Sequence, residues 1–268
     1  MKMNKHTTHI TSVQNTKVKQ WASLLEKKHR ERSGQFIIEG VHLVLEAVQA
    51  GIEMECIVYD ADKGIPAELK GGTAAAAPCE WVSAPAPVLA KCTGTTTPPP
   101  VFAVVSKPTY NSEKLFNEQA LVIVLDGVSD PGNVGTIIRS ADAVGADAVV
   151  LGKNCADVYN PKTVRSTMGS LFHLPVIEAD LGQLLPEAKQ HGIRLTGTSL
   201  QANHSCYGCD WTKATWLVMG NESKGLSAEV EQLMDETVLI PMRGKAESLN
   251  VAMATTVLLY EALRQREF

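Results

Sequence analysis

Residues 121–125 read Leu-Val-Ile-Val-Leu, and this run restricts the fold more than any other stretch of the chain. A strand with one face in water alternates apolar and polar side chains. A continuous β-branched run is instead the pattern of a strand covered on both faces, as in a parallel sheet flanked by helices. Asp126 and Gly127 end the run, and Asp130-Pro131-Gly132 reads as a turn. Asn133 then reads as a helix N-cap, its side-chain oxygen able to accept from an orphan backbone N–H. In the helix that follows, Val134, Ile137, Ile138 and Ala141 recur at the spacing of one buried face. Arg139 lies off that face, free to meet plain solvent or a ligand.

The same alternation of strand and helix continues to the end of the chain. Strands are expected at 121–125, 148–151, 193–198, 216–219 and 237–241, with a shorter one near 175–177. Asn160-Pro161 reads as an N-cap followed by proline at the first helical position, opening a helix through Val164, Met168 and Leu171. Further helices are expected over 181–191 and from about Leu249 onward, where Ala252, Val257, Leu258, Leu259 and Leu263 supply an apolar surface. This is an α/β class with a mostly parallel sheet. Residues 1–106 read as a smaller α/β domain: a basic helix over 15–29, a strand at 36–38, a helix over 41–50 and strands at 56–59 and 101–105. Two low-complexity stretches in it, 71–78 and 95–100, read as loops. Residues 107–118 connect it to a domain spanning 119–268. There is no internal repeat.

Composition excludes several classes. With 44% hydrophobic residues the chain can bury a full core, yet no apolar run is long enough to span a bilayer. The N-terminal residues lack the apolar region of a signal peptide, so a cytoplasmic protein is expected. Six scattered cysteines then read as free thiols. Cys206-x-x-Cys209, even with His204 nearby, lacks the second pair of a zinc site, and no metal is expected. The net charge of −4 argues against a uniformly basic coat, but charge is uneven. Residues 1–34 hold Lys2, Lys5, Lys17, Lys19, Lys27, Lys28, Arg30 and Arg32 against Glu26 and Glu31, a local charge of +6. Such a segment is either a phosphate-contact surface for nucleic acid or a solvated helix face.

In parallel α/β sheets ligands bind beyond the carboxyl ends of the strands. Three loops at such positions stand out. The first is 126–133. The second follows an apolar strand and reads Met219-Gly220-Asn221-Glu222-Ser223-Lys224-Gly225. The third runs from Ile240-Pro241-Met242 through Gly244 to Ser248-Leu249-Asn250. Glycines at 220, 225 and 244 allow close backbone approach by a flat ring, or are ordinary turns. No G-x-G-x-x-G, Walker A or G-x-S-x-G motif is present.

Together these segments closely resemble the motifs of the SpoU, or TrmH-like, RNA ribose 2′-O-methyltransferases. LDGVSDPGNVGTIIRSADAVG (125–145) resembles the first motif, LVMGNESKGLS (217–227) the second and IPMRGKAESLNVAMATTVLLYEAL (240–263) the third. Asn160-Pro161-Lys162 through Gly169-Ser170-Leu171-Phe172-His173-Leu174-Pro175 is similar to the intervening segment, so the resemblance covers about 121–264. The first hundred residues more loosely resemble the family's substrate-binding domain, an L30e-like fold. Their low-complexity segment and Pro98-Pro99-Pro100 depart from the usual pattern.

The resemblance implies a SPOUT-type domain with a deep trefoil knot, an exception to un-knotted topology. It implies S-adenosylmethionine as cofactor, held by Gly220, Ile240 and Leu249 together with Met219, Gly225, Met242 and Gly244. It also implies a homodimer whose active site draws on both subunits. The resemblance implies that Arg139 matches the arginine that activates the ribose hydroxyl in the family, as a general base or as an electrostatic stabiliser. A guanidinium is protonated at ordinary pH, so Arg139 is expected to stabilise a developing alkoxide or clamp a phosphate. Asn133, Glu222, Ser248 and Asn250 complete the expected catalytic set, and Lys17, Lys19, Lys27, Lys28, Arg30 and Arg32 the expected RNA contacts. The resulting expectation is 2′-O-methylation of 23S rRNA. A tRNA target and a non-catalytic RNA-binding assembly factor stand as alternatives.

Overall fold

The computed structural model describes residues 7–110 and 115–268. Lys2 and Lys5 of the basic N-terminus, and 111–114 of the expected connection, lie outside the described residues. The chain divides into two compact units, one of residues 7–109 with 159–172 and one of residues 110–158 with 173–268.

In the first unit, β1 (Thr7–His9) precedes α1 (Thr16–Ser23) and α2 (Lys27–Ser33). Then come β2 (Gln35–Glu39), α3 (Val41–Gln49), β3 (Met54–Asp60), α4 (Gly72–Ala76), β4 (Glu80–Ala84), α5 (Ala86–Thr93) and β5 (Val101–Ser106). The sheet order is β1-β4-β3-β5-β2, with β5 antiparallel to both neighbours. The expected basic helix is two helices, because the chain turns at Leu24 so that both Trp21 and Leu24 can be buried. The carbonyl freed there accepts from Arg30 at 2.6 Å. Residues 71–78 are not all loop either: alanine, the strongest helix former, builds α4 and buries Ala74. Strands β1 and β4 and helix α5 went unrecognised, although Trp81, Val82, Val88 and Leu89 are core residues.

The second unit begins with β6 (Leu121–Asp126), α6 (Pro131–Ala143) and β7 (Ala148–Leu151). From 121 to 125 β6 is buried, as its composition requires. The chain then forms α7 (Pro161–Thr167), which Asn160 caps, and a 3-10 turn Ser170–Phe172, both packed within the first unit. There Phe36 meets Tyr159 at 4.7 Å between ring centres, and Arg165 pairs with Glu39 at 3.0 Å. Helix α7 ends at Thr167, short of the expected Leu171, where Met168 turns into the left-handed region.

Back in the second unit follow β8 (Val176–Glu178), α8 (Leu181–Gln190), β9 (Arg194–Thr198), β10 (His204–Ser205) and β11 (Thr215–Gly220). The short α9 (Ala228–Glu231), β12 (Glu236–Leu239) and α10 (Val251–Glu267) complete it. Every pairing in this seven-stranded sheet is parallel, in the order β10-β12-β9-β11-β6-β7-β8. Its core includes Val122, Val124, Val150, Leu195, Trp216 and Val218. Among the described residues no helix is long and apolar enough to cross a membrane.

Candidate active site

Strands β6 and β11 are neighbours in register, Leu125 opposite Met219 and Asp126 opposite Gly220. The first two glycine-bearing loops therefore leave the sheet side by side. Gly220 is required by its own loop: a Cβ there would lie 2.2 Å from the carbonyl carbon of Gly225 and 2.4 Å from the backbone nitrogen of Leu226. Gly225 takes φ +71°, closing the loop through reciprocal backbone bonds with Asn221 at 2.9 and 3.0 Å. Asn221 also donates to the Gly127 carbonyl at 2.8 Å, and the Asp126 carboxylate accepts from Ser227 N–H at 2.7 Å. The two loops are thus cross-braced.

This bracing places Glu222 over the N-terminus of α6. Its carboxylate accepts from Ser129 N–H and Oγ, both at 3.3 Å, from Asp130 N–H at 3.2 Å and from Asn133 Nδ2 at 3.0 Å. Burial pushes the Glu222 carboxyl up, but these donors and its own backbone N–H outweigh it and hold the group below the usual carboxylate range. Asn133 is not the N-cap of α6. Asp130 is, accepting from Asn133 N–H at 2.9 Å with Pro131 at the first helical position. The Asn133 side chain is thereby free to face the other loops, and its Oδ1 accepts from Asn250 Nδ2 at 3.0 Å. Asn250 in turn caps α10, accepting from Ala252 and Met253 N–H. A relay Glu222–Asn133–Asn250 joins all three loops.

Beside the relay lies a cavity of about 410 Å³, a size suited to a small-molecule ligand. Met219, Gly220, Gly225, Ile240, Met242 and Leu249 line it, with Glu222 and Ser248. Gly244 does not line it. Arg139, Asn133 and Asn250 lie outside its lining as well. Arg139 is exposed on α6 and has no partner among the described residues, and Ser248 is exposed with no side-chain partner among them. Sequence reasoning missed residues 198–201, which form another wall where β9 ends. The position of that segment beyond a parallel strand was the available signal. The wall is apolar around Val238, Leu239 and Leu258 and includes Gly220 and Gly225, which have no side chain to cover their main chain, and this fits an adenosyl group held by main-chain contacts.

Of the expected RNA contacts, Lys19, Lys28 and Arg32 are exposed and have no partner among the described residues. Lys27 is exposed 3.6 Å from Glu31, and Lys17 pairs with Glu80 at 2.6 Å. Arg30 is withdrawn from that surface: it is 2% exposed and serves the Leu24 carbonyl. Cys206 and Cys209 are buried. Burial and the Glu236 carboxylate push Cys209 up to about 12. Among the described residues no group of three or more His, Cys, Asp or Glu could hold a metal ion.

The SpoU rRNA Methylase family profile matches residues 120–260, and the MRM3-like substrate binding domain profile matches 15–103. The chain belongs to the SpoU family. This SpoU methylase is 41% identical over 252 residues to the 23S rRNA (guanosine(2553)-2′-O)-methyltransferase RlmP of Bacillus subtilis, covering 94% of this chain and 97% of the relative. It is 37% identical to the 23S rRNA (uridine(2479)-2′-O)-methyltransferase of Streptomyces viridochromogenes, over 96% of this chain and 92% of that one. Among solved structures it is similar to the SpoU methyltransferase AviRb from Streptomyces viridochromogenes in complex with AdoMet. There the TM-score is 0.85 at 36% identity, covering 94% and 98% of the two chains. An AdoMet-bound rRNA methyltransferase from Sinorhizobium meliloti matches with TM-score 0.85 at 32% identity, covering 96% and 98%.

Proposed function

We propose that this SpoU methylase transfers the methyl group of S-adenosylmethionine to a ribose 2′-hydroxyl of 23S rRNA. The observation that carries the reading is the Glu222–Asn133–Asn250 relay, which draws three strand-end loops around one cavity in a chain whose relatives are named for that reaction. Those names favour rRNA over a tRNA target. The relay and Arg139 favour an enzyme over a non-catalytic assembly factor.

Met219, Ile240, Met242 and Leu249 would hold the cofactor, with backbone at Gly220 and Gly225. When bound, S-adenosylmethionine supplies an electrophilic methyl on a sulfonium, so the protein's part is alignment and help with the hydroxyl proton. Arg139 offers only hydrogen-bond donors, so it stabilises the oxygen that develops negative charge. The relay sets the angle at which α6 presents that arginine. On the N-terminal unit, Lys19, Lys28 and Arg32 contact RNA phosphates.

The functional form is a homodimer. Arg139 is exposed outside the cavity lining, and α10 exposes Met253 and Tyr260 on one stripe with half-buried Val257, a face suited to a second copy. The reading includes the trefoil knot and an rRNA substrate met in the cytoplasm. Its test is methyl transfer from labelled S-adenosylmethionine to 23S rRNA from cells lacking the gene, followed by mapping of 2′-O-methyl positions. One newly protected ribose is expected; base methylation, or no transfer, overturns the proposal.

A further inference from the structure

The cations of the second unit fall into two sets. Among the described residues Lys153, Lys189, Arg194, Lys213 and Arg264 each pair with a carboxylate, and Arg266 donates to backbone carbonyls. The side chains of Arg139, Lys224, Arg243 and Lys245 have no partner among the described residues. All four lie in the segments that build the candidate site. In a chain of net charge −4, unpaired positive charge confined to these segments sets them apart from the rest of the unit's surface.

The path of the third loop explains where two of them go. Met242, Ser248 and Leu249 line the cavity, whereas residues 243–247 between them do not, and every residue from 241 to 250 is exposed. Between the rim contacts at Met242 and Ser248 the chain thus stays outside the lining, with Arg243 and Lys245 exposed on either side of Gly244. Lys224 stands on the second loop, which also lines the cavity. The Glu222 carboxylate is occupied by the donors of the first loop, leaving Glu231 on the cavity wall and Glu247 in the excursion as the nearby carboxylates.

We infer that residues 243–247, with Lys224, form a phosphate-contact edge by which the catalytic unit itself grips the RNA backbone beside the ribose to be methylated. The inference rests on the methyltransferase reading and adds to it a contact surface apart from the basic helices of the first unit. Gly244, expected on the cofactor, is here the spacer that lets two cations straddle a backbone. Contacts of this kind fix the register of the RNA without reading its bases. Each neutralised phosphate adds about 0.7 to 0.9 to the slope of log affinity against log salt.

The test measures binding of a 23S rRNA fragment by the full-length protein across a salt series, for wild type, R243Q/K245Q and the charge-preserving R243K/K245R. K153Q, which removes a paired lysine outside these segments, serves as the control. The expected result is a slope shallower by about 1.5 in R243Q/K245Q, with RNA affinity about tenfold lower in moderate salt. R243K/K245R and K153Q keep the wild-type slope, and S-adenosylmethionine affinity by calorimetry stays within twofold throughout. An unchanged slope overturns the inference. So does a parallel loss of cofactor affinity, which would return the loop to the cofactor, or a shift to monomers in sedimentation, which would assign it to a contact between copies. Wild-type protein that binds RNA but transfers no methyl group refutes the enzymatic reading while leaving the slope comparison intact.

Discussion

Asn133 donates to Glu222 at 3.0 Å across 89 residues of chain, and this bond joins the first loop of the site to the second. It forms because parallel pairing of β6 with β11 brings Asp126 opposite Gly220, so that the residues just beyond each strand become neighbours. Glu222 also accepts from the start of α6, where the helix dipole favours a carboxylate. We expect Glu222→Gln and Asn133→Ala to lower kcat more than they raise KM for S-adenosylmethionine, since both loosen the loop that aims Arg139. The double variant should cost less than the sum of the singles, because both remove the same bond. Strict additivity in the double-mutant cycle removes the relay from the mechanism.

Glu222 titrates with a defined sign. Its carboxyl is held below the usual range in the folded protein, so the contribution of the braced loops is present above the unfolded carboxylate value and is lost as pH falls through the folded one. Cofactor affinity followed by calorimetry between pH 7 and about pH 3.5 should decline at the acid end, and Glu222→Gln should flatten that decline.

Arg139→Ala should abolish methyl transfer while S-adenosylmethionine still binds, because the side chain lies outside the lining of the cavity. Arg139→Lys keeps the charge but loses the planar fork, and should recover a small part of the rate. Undiminished turnover in Arg139→Ala returns the arginine to the solvated surface.

Gly220→Ala places a methyl group within 2.5 Å of backbone atoms of Gly225 and Leu226, which cannot swing aside as a side chain would. The expected cost is about 1 to 3 kcal/mol of stability, the range for overpacking, together with loss of cofactor affinity. Thermal melting with and without S-adenosylmethionine measures both. A melting temperature and ligand shift equal to wild type show that the loop packs otherwise.

In the first unit, burial raises the Glu39 carboxyl and Arg165 partly offsets it. A raised folded value means the folded chain holds its proton longer than the unfolded one. Stability from this group therefore falls as pH rises from the unfolded carboxylate value through the folded one. Arg165→Ala should widen that window upward and Glu39→Gln should abolish it, read as melting temperature against pH from 4 to 7. The opposite trend in Arg165→Ala contradicts the pairing.

Much of the second unit was legible in its residues. A strand buried on both faces must be apolar throughout, and a helix lying on a sheet must show one apolar face, so the run at 121–125 and the pattern of α6 announce themselves locally. The three loops were legible for the same reason, each being a polar, glycine-bearing break after a buried run. Arg30 was misplaced because its exposure depends on a carbonyl six residues back that only a turn at Leu24 sets free. Asn133 was given the wrong task because Asp130, three residues earlier, competes for the cap and wins.

Tertiary structure alone decided the rest. Strand order and register bring Glu222, Asn133 and Asn250 within hydrogen-bond distance, turn residues 198–201 into a cavity wall, and leave residues 243–247 out of the cavity lining. Packing within the first unit likewise claims residues 159–172, which interrupt the sequence of the second unit. Local pattern specifies which segments are strands, helices and loops, because burial acts on neighbouring residues at a fixed period. Which loops meet is a property of the sheet, whose long-range pairing no single segment encodes.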